Sequence, residues 1–198
     1  WSCSKKYINK SLTIVDMPYK SYNTKKNALK NAKNIINFTN CDFVKIETNE
    51  NDVKIVEYLS KNKINVVAHI GITPQQFTNF NKIKSVGKNT KQMMSLVLLA
   101  KKLEDAGAKF IVLECIIDKT AKEITNNLKI PTIGIGASKH CDGQVLVIDD
   151  LINFNSGKKK IKFVKKYTNI EQFINKAVKK FVQEVKCRKF PSKKYSYR

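Results

Sequence analysis

The chain has 198 residues, of which 42% are hydrophobic, and this is enough to build a domain with its own core, so a wholly disordered chain is excluded. Its formal net charge of +22 suggests a nucleic acid or an anionic membrane as a partner. However, only Arg188 and Arg198 are arginines, and lysine lacks the planar guanidinium fork that suits phosphate and base recognition, so we attribute the lysine excess to an A/T-rich genome and expect no specific nucleic-acid partner.

Six short, β-branched apolar runs predict buried strands. Each run is four to five residues long and ends next to a polar residue or a glycine. In chain order they cover residues 12–15, 43–46, 64–68, 110–113, 132–135 and 145–148.

Helical periodicity lies between these runs, at residues 23–38, 53–59 and 90–106, and Gly107 is placed to end the third helix. Alternating strands and helices predict parallel β/α units with right-handed crossovers. Beyond Gly157 the chain carries 15 Lys/Arg against two Glu, while residues 170–185 keep a helical apolar stripe. We therefore predict a catalytic barrel domain over 1–157 and a basic C-terminal helical extension over 158–198, packed on the barrel.

Ionisable side chains follow four successive predicted strands: Asp16, Glu47, His69 and Glu114. Because reactive groups of parallel β/α proteins lie at the carboxyl ends of strands, these residues indicate an active site with hard oxygen ligands suited to Mg²⁺. Each residue also has a structural explanation, since strand ends often carry helix caps or turn residues.

Lys45 lies two positions before Glu47 and therefore on the same face of its strand. A buried lysine is costly without a partner, so this pair is either a structural ion pair or part of the site. Glu114 follows four apolar residues, a setting that raises a carboxyl pKa and favours a general base. His69 is compatible with a structural role as well as with a site.

Other motifs are less specific. Gly134, Gly136 and Ser138 are compatible with a phosphate-cradling loop, but close packing explains them equally well. The sequence has no apolar run long enough to cross a bilayer and no leader pattern, from which we expect a cytoplasmic protein. Five widely spaced cysteines predict reduced thiols rather than disulfides or a zinc site.

Seven motifs, taken together, resemble the ketopantoate hydroxymethyltransferase (3-methyl-2-oxobutanoate hydroxymethyltransferase) family. They occur in that family's order, and residues 190–197 also resemble its C-terminal end. The motifs are DMPY (16–19), VKIE (44–47), HIGITPQ (69–75), LEDAGA (103–108), IVLEC (111–115), IPTIGIG (130–136) and CDGQVLV (141–147).

The resemblance implies a TIM (β/α)₈ barrel that transfers a hydroxymethyl group from 5,10-methylenetetrahydrofolate to 3-methyl-2-oxobutanoate with Mg²⁺, in pantothenate biosynthesis. By motif, Asp16 and Glu47 are implied as metal ligands, and Asp16, Lys45 and His69 as substrate-binding residues. Glu114 is implied as the general base. The family's decamers imply a homo-oligomer.

The sequence departs from the family at Ala68, Ser138 and Asn153, which occupy glycine positions. The family also places two β/α units before the strand that ends at Asp16, including an Asp-Ser pair for metal and substrate. Six predicted strands fall short of a closed eight-stranded barrel. We therefore expect an N-terminally truncated barrel that lacks about two units, and a chain that is inactive or very poor by itself.

Two other functions remain open from the sequence. The first is a Mg²⁺-dependent 2-oxo acid enzyme of the phosphoenolpyruvate mutase and isocitrate lyase type, although no matching motif is present. The second is a decayed enzyme that binds polyanions through its lysine-rich C-terminus, with an affinity that falls steeply with salt.

Overall fold

The structure is a computed structural model that describes residues 10–76, 84–154 and 161–197. The chain divides into two compact units, Trp1–Val145 and Leu146–Arg198, and each is described by itself. The predicted domain boundary between residues 157 and 158 lies outside the described residues and stays a prediction.

The first unit is built on a parallel sheet of six described strands, whose spatial order is the same as their order in the chain. The strands are β1 (Ile14–Asp16), β2 (Phe43–Glu47), β3 (Val66–Gly71), β4 (Phe110–Glu114), β5 (Thr132–Ile135) and β6 (Gly143–Gln144). Helices connect the first five: α1 (Lys25–Thr39), α2 (Val53–Lys61), α3 (Thr90–Asp105) and α4 (Asp118–Asn127). This α/β arrangement confirms the predicted parallel β/α units, and the curled sheet is consistent with part of a TIM barrel.

The predicted strand at 145–148 is wrong. The sheet ends with β6, where Val145 N donates to Gly134 O at 3.0 Å, and Ile148 begins a short helix, α5 (Ile148–Leu151). Val145, Val147 and Ile148 are about half or more exposed, so their apolar character does not reflect burial in a sheet. Two acidic residues in the first turn of α5 favour the helix through its dipole.

The sequence analysis did not predict helix α4, because the helix has few apolar residues. Only Thr120, Ala121 and Ile124 are buried along its ten residues, and the others are mostly polar. Helices α1, α2 and α3 begin and end close to their predicted limits. Gly107 ends α3 with φ +96°, a conformation that glycine adopts without strain.

Side chains alternate between the two faces of the sheet. One face packs against the helices and forms the main core, which includes Val44, Ile46, Ala68, Ile70, Ile111 and Leu113. The other face carries a smaller apolar cluster of Phe43, Val67 and Val112, and the Phe43 ring meets that of Phe110 edge to face at 5.2 Å. The same alternation places Lys45, Glu47, His69 and Glu114 further along this second face, above its apolar layer.

The second unit contains α5 and a long helix, α6 (Ile170–Lys186), which confirms the helix predicted at 170–185. The backbone N–H groups of Tyr167 and Ile170 donate to carbonyls at the end of α5. The apolar side chains of α6 are largely exposed within the described chain. No helix in the described ranges combines the length and apolar character needed to cross a membrane.

Candidate active site

Strand register brings the candidate residues to one end of the sheet. Asp16, Glu47 and Glu114 are the last residues of β1, β2 and β4, while His69 lies two residues before the end of β3. Asp16 is in register with Lys45, and Glu47 with His69. The parallel register therefore places groups that are far apart in sequence on neighbouring strands.

Four of these side chains form a continuous line across β1 to β4. Lys45 Nζ lies 2.8 Å from Asp16 Oδ2 and 3.5 Å from His69 Nδ1. On the other side of the ring, His69 Nε2 lies 3.2 Å from Glu114 Oε2. An ammonium group only donates, so Nδ1 accepts and we assign the proton of a neutral ring to Nε2, facing Glu114.

The approach of His69 to Glu114 is close, but Nε2 has no partner with hydrogen-bond geometry. We describe it as an electrostatic contact rather than a hydrogen bond. The side chain of His69 is buried and that of Glu114 is nearly so, whereas Asp16 is 52% exposed. The line thus runs from a solvent-accessible carboxylate to a nearly enclosed one.

Glu47 is the most deeply buried carboxylate of the site, with 2% of the residue exposed. Its Oε1 accepts a hydrogen bond from Gln75 N at 2.9 Å, whereas Oε2 has no partner. Burial raises the pKa of Glu47, while the Gln75 N–H and the nearby His69 and Lys45 oppose this rise. A buried oxygen without a donor is costly unless something else satisfies it.

The donor set is compatible with Mg²⁺. This ion binds through one or two carboxylates and completes its shell with water and substrate, and Asp16 and Glu47 supply hard oxygen donors of this kind. The orphaned Oε2 of Glu47 is the structural observation that fits a cation. Within the described ranges, no three His, Cys, Asp or Glu side chains converge as a metal cluster.

The sequence analysis missed two residues that connect the loops above the strands. The side chain of Gln75 donates to Met17 O at 3.2 Å and accepts from Tyr22 OH at 3.5 Å. Burial, followed by the charge of Glu47, raises the pKa of Tyr22 to about 12, so its phenol stays protonated and able to donate. Position 75 ends one of the quoted motifs, but nothing local in the sequence predicts its contacts.

Gly71 and Ser138 shape the loops around the site. Gly71 has φ +102°, and a Cβ there would lie 2.2 Å from the carbonyl oxygen of Glu114. In the loop after β5, Ser138 Oγ donates to Asp118 Oδ1 at 2.7 Å and is itself an acceptor for His140 N. This serine hydroxyl therefore has structural partners, and the phosphate-loop interpretation stays a prediction.

Fold and site together define an α/β enzyme whose acidic and basic side chains meet at the carboxyl end of a parallel sheet. The family model for ketopantoate hydroxymethyltransferase matches residues 2–193. The chain is 52% identical over 190 residues to the 3-methyl-2-oxobutanoate hydroxymethyltransferase of Pelagibacter ubique, covering 96% of this chain and 72% of that protein. It is 41% identical over 189 residues to the 3-methyl-2-oxobutanoate hydroxymethyltransferase of Anaplasma marginale, covering 96% of this chain and 68% of that protein.

The chain therefore belongs to the ketopantoate hydroxymethyltransferase family, and it is a transferase sequence, as the resemblance implied. Among solved structures, a mandelate racemase/muconate lactonizing protein from Paracoccus denitrificans PD1222 is similar with a TM-score of 0.41 and 10% identity, over 61% of this chain and 32% of that one. A likeness this low supports no statement about function.

Proposed function

We propose that this chain takes part in the Mg²⁺-dependent transfer of a hydroxymethyl group from 5,10-methylenetetrahydrofolate to 3-methyl-2-oxobutanoate, a step of pantothenate biosynthesis. The observation that carries the proposal is the line from Asp16 through Lys45 and His69 to Glu114 across four adjacent strands. It provides a cationic group and a nearly enclosed carboxylate at one end of the sheet, in a chain of this family.

Glu114 is proposed as the general base that takes the proton from C3 of the oxo acid. Its carboxylate lies 3.2 Å from Nε2 of the buried His69 ring, which therefore forms one side of the surroundings of the base. After proton removal, C3 forms the new carbon–carbon bond with the methylene carbon of the folate. Both carbon–nitrogen bonds of the methylene bridge break. One folate nitrogen takes the proton held by Glu114, the other takes a proton from one water, and the oxygen of that water becomes the hydroxyl group of the product.

Lys45 is proposed to bind the carboxylate of the substrate, and Asp16 and Glu47 to hold the metal. Mg²⁺, when bound, supplies Lewis-acid polarisation of the 2-oxo group, which lowers the pKa of the C3 proton. The Asp16 carboxylate already pairs with Lys45, so the ammonium is oriented before substrate enters. His69 is proposed to line the substrate pocket.

We further propose that the described sheet is part of an eight-stranded barrel, and that the 198 residues alone turn over poorly. Six described strands support this, as does the coverage of 68–72% of the two relatives above. An open parallel sheet leaves unpaired strand edges and an uncovered inner face. The homo-oligomer stays a prediction.

The test compares three proteins: the chain, a chimera that adds the portion of the Pelagibacter relative left uncovered by the match, and the chimera with Glu114→Gln. The assay follows methylenetetrahydrofolate consumption and, by NMR, deuterium exchange at C3 of 3-methyl-2-oxobutanoate. We expect the chimera to be active, the chain to be at least about 100-fold slower, and Glu114→Gln to lose about 10²- to 10⁴-fold in exchange.

Different results refute different parts of the proposal. A chimera that folds but consumes no folate refutes the assigned reaction. Normal C3 exchange in Glu114→Gln refutes Glu114 as the base and leaves the reaction intact. Full turnover by the 198 residues alone refutes the proposed need for further strands.

A further inference from the structure

Gln75 connects three strand ends. It lies in the middle of a short 3₁₀ turn, Pro74–Gln76, that follows β3. Its backbone N–H donates to Glu47 Oε1 at the end of β2, and its side chain donates to the Met17 carbonyl just after β1. A third contact, from Tyr22 OH at 3.5 Å, satisfies the amide oxygen.

These contacts leave the Glu47 carboxylate in one defined orientation. The N–H of Gln75 takes one oxygen, and the other oxygen is left buried and without a partner. Of the two Glu47 oxygens, Oε2 is therefore the one free to serve a ligand. The hydrogen bond from the amide side chain to Met17 restrains the turn and thereby opposes movement of its backbone N–H away from Glu47.

We propose that Gln75 is a positioning residue for metal binding: its side chain anchors the turn whose N–H orients the Glu47 carboxylate. The inference deepens the proposed function and rests on the metal role given there to Glu47. Outer-shell partners of metal-binding carboxylates commonly affect affinity by about 10- to 100-fold when removed. Gln75 does not itself contact the reacting atoms in this scheme.

The experiment measures Mn²⁺ binding to the full chain in the presence of 3-methyl-2-oxobutanoate, using the EPR signal of free Mn²⁺. Gln75→Met removes the amide donor and the amide acceptor and keeps a side chain of similar length. Gln76→Met, in the same turn, is the matched control, because Gln76 makes none of the three contacts. We expect Gln75→Met to weaken Mn²⁺ binding about 10- to 100-fold, and Gln76→Met to bind as the parent does. Gln75→Met should unfold at a lower temperature than Gln76→Met, because it loses two side-chain hydrogen bonds, so binding is compared at a temperature at which both variants are folded.

A double-mutant cycle separates positioning from a general structural effect. In the Glu47→Gln background, Gln75→Met should cause no further loss, because the carboxylate that it orients is gone. If the two losses multiply, or if Gln75→Met binds Mn²⁺ like the parent, the positioning role is refuted while the metal site stands. If the parent chain binds no Mn²⁺, the same variants are compared in the chimera described above. If the chimera binds no Mn²⁺ either, the metal part of the proposed function is refuted and the positioning role with it.

Tyr22→Phe provides a second route should Gln75→Met fail to fold. It removes only the hydroxyl donor to the Gln75 amide and keeps the buried ring. We expect a smaller weakening of Mn²⁺ binding, about threefold, as suits one neutral hydrogen bond. Unchanged binding in Tyr22→Phe, with Gln75→Met unfolded, would contradict the proposal.

Discussion

Replacing Glu47 by Gln should stabilise the metal-free chain while weakening its metal binding. Glu47 is 2% exposed, and one of its two oxygens has no partner. An unsatisfied buried polar group costs about 1–3 kcal/mol, and more when it is charged. Because the Gln amide leaves a neutral group unpaired in the same place, we expect a net gain of about 1 kcal/mol at pH 7.

The pH dependence of this gain follows from the pKa of Glu47. Burial raises this pKa above its ordinary value of 4.5. At pH values between the ordinary pKa of the unfolded chain and the raised pKa of the folded chain, the folded chain binds more protons than the unfolded chain. The contribution of Glu47 to stability therefore falls as the pH rises through this window. Gln does not titrate, so the advantage of Glu47→Gln should grow as the pH rises above 4.5 and should be smaller at pH 4 than at pH 7.

Mg²⁺ should reverse the ranking of the two proteins. At ten times its dissociation constant, a ligand specific to the folded state adds about 1.4 kcal/mol, and only the parent should gain this in full. Urea unfolding followed by far-UV circular dichroism, at pH 4 and 7 with and without Mg²⁺, measures the free energy of unfolding of both proteins under each condition. Glu57→Gln, on the exposed side of α2, is the matched control. A Glu47→Gln protein less stable than the parent at pH 7 without Mg²⁺ would refute the reasoning.

Three further predictions concern single residues. Gly71→Ala should destabilise the fold by at least about 3 kcal/mol in the same urea assay, because φ is +102° and the new Cβ meets the Glu114 carbonyl; a loss below about 1 kcal/mol would contradict this. Lys45→Met in the active chimera should raise KM for the oxo acid about 30-fold, which corresponds to about 2 kcal/mol for a charged hydrogen bond. Lys54→Met, at an exposed lysine, is the control and should leave KM unchanged. An unchanged KM in Lys45→Met argues against binding of the substrate carboxylate by Lys45. In a Cys3→Ser background, Ellman's reagent at pH 8 should modify only the exposed thiol of Cys187 in the folded protein. Cys115 is buried, and burial raises its pKa to about 11. Rapid modification of a second thiol would contradict the burial of the other cysteines.

Much of the fold follows from local patterns. Five of the six predicted strands are present, because β-branched apolar runs between helical segments leave few alternatives in a parallel sheet. The failure at 145–148 shows the limit, since apolar β-branched residues suit a strand only when a neighbour covers them, and these are about half or more exposed. Helix α4 shows the converse, because its burial depends on packing rather than on an evident apolar stripe.

The site divides in the same way. Placement of Asp16, Glu47 and Glu114 at strand ends follows from strand length, and the common face of Lys45 and Glu47 follows from the two-residue period. The roles of these residues in substrate and metal binding stay predictions. The basic C-terminal stretch is likewise assigned only from its charge, and its affinity for polyanions is untested.

The sequence by itself determined the succession of strands and helices, the face on which each charged side chain lies, and membership of the family. Only the tertiary structure decided which of those charges meet: Lys45 lies between Asp16 and His69, and Gln75 binds groups 28 and 58 positions away in the chain. The physical reason is that alternation and periodicity depend on neighbouring residues, whereas a hydrogen bond between loops depends on the register of whole strands.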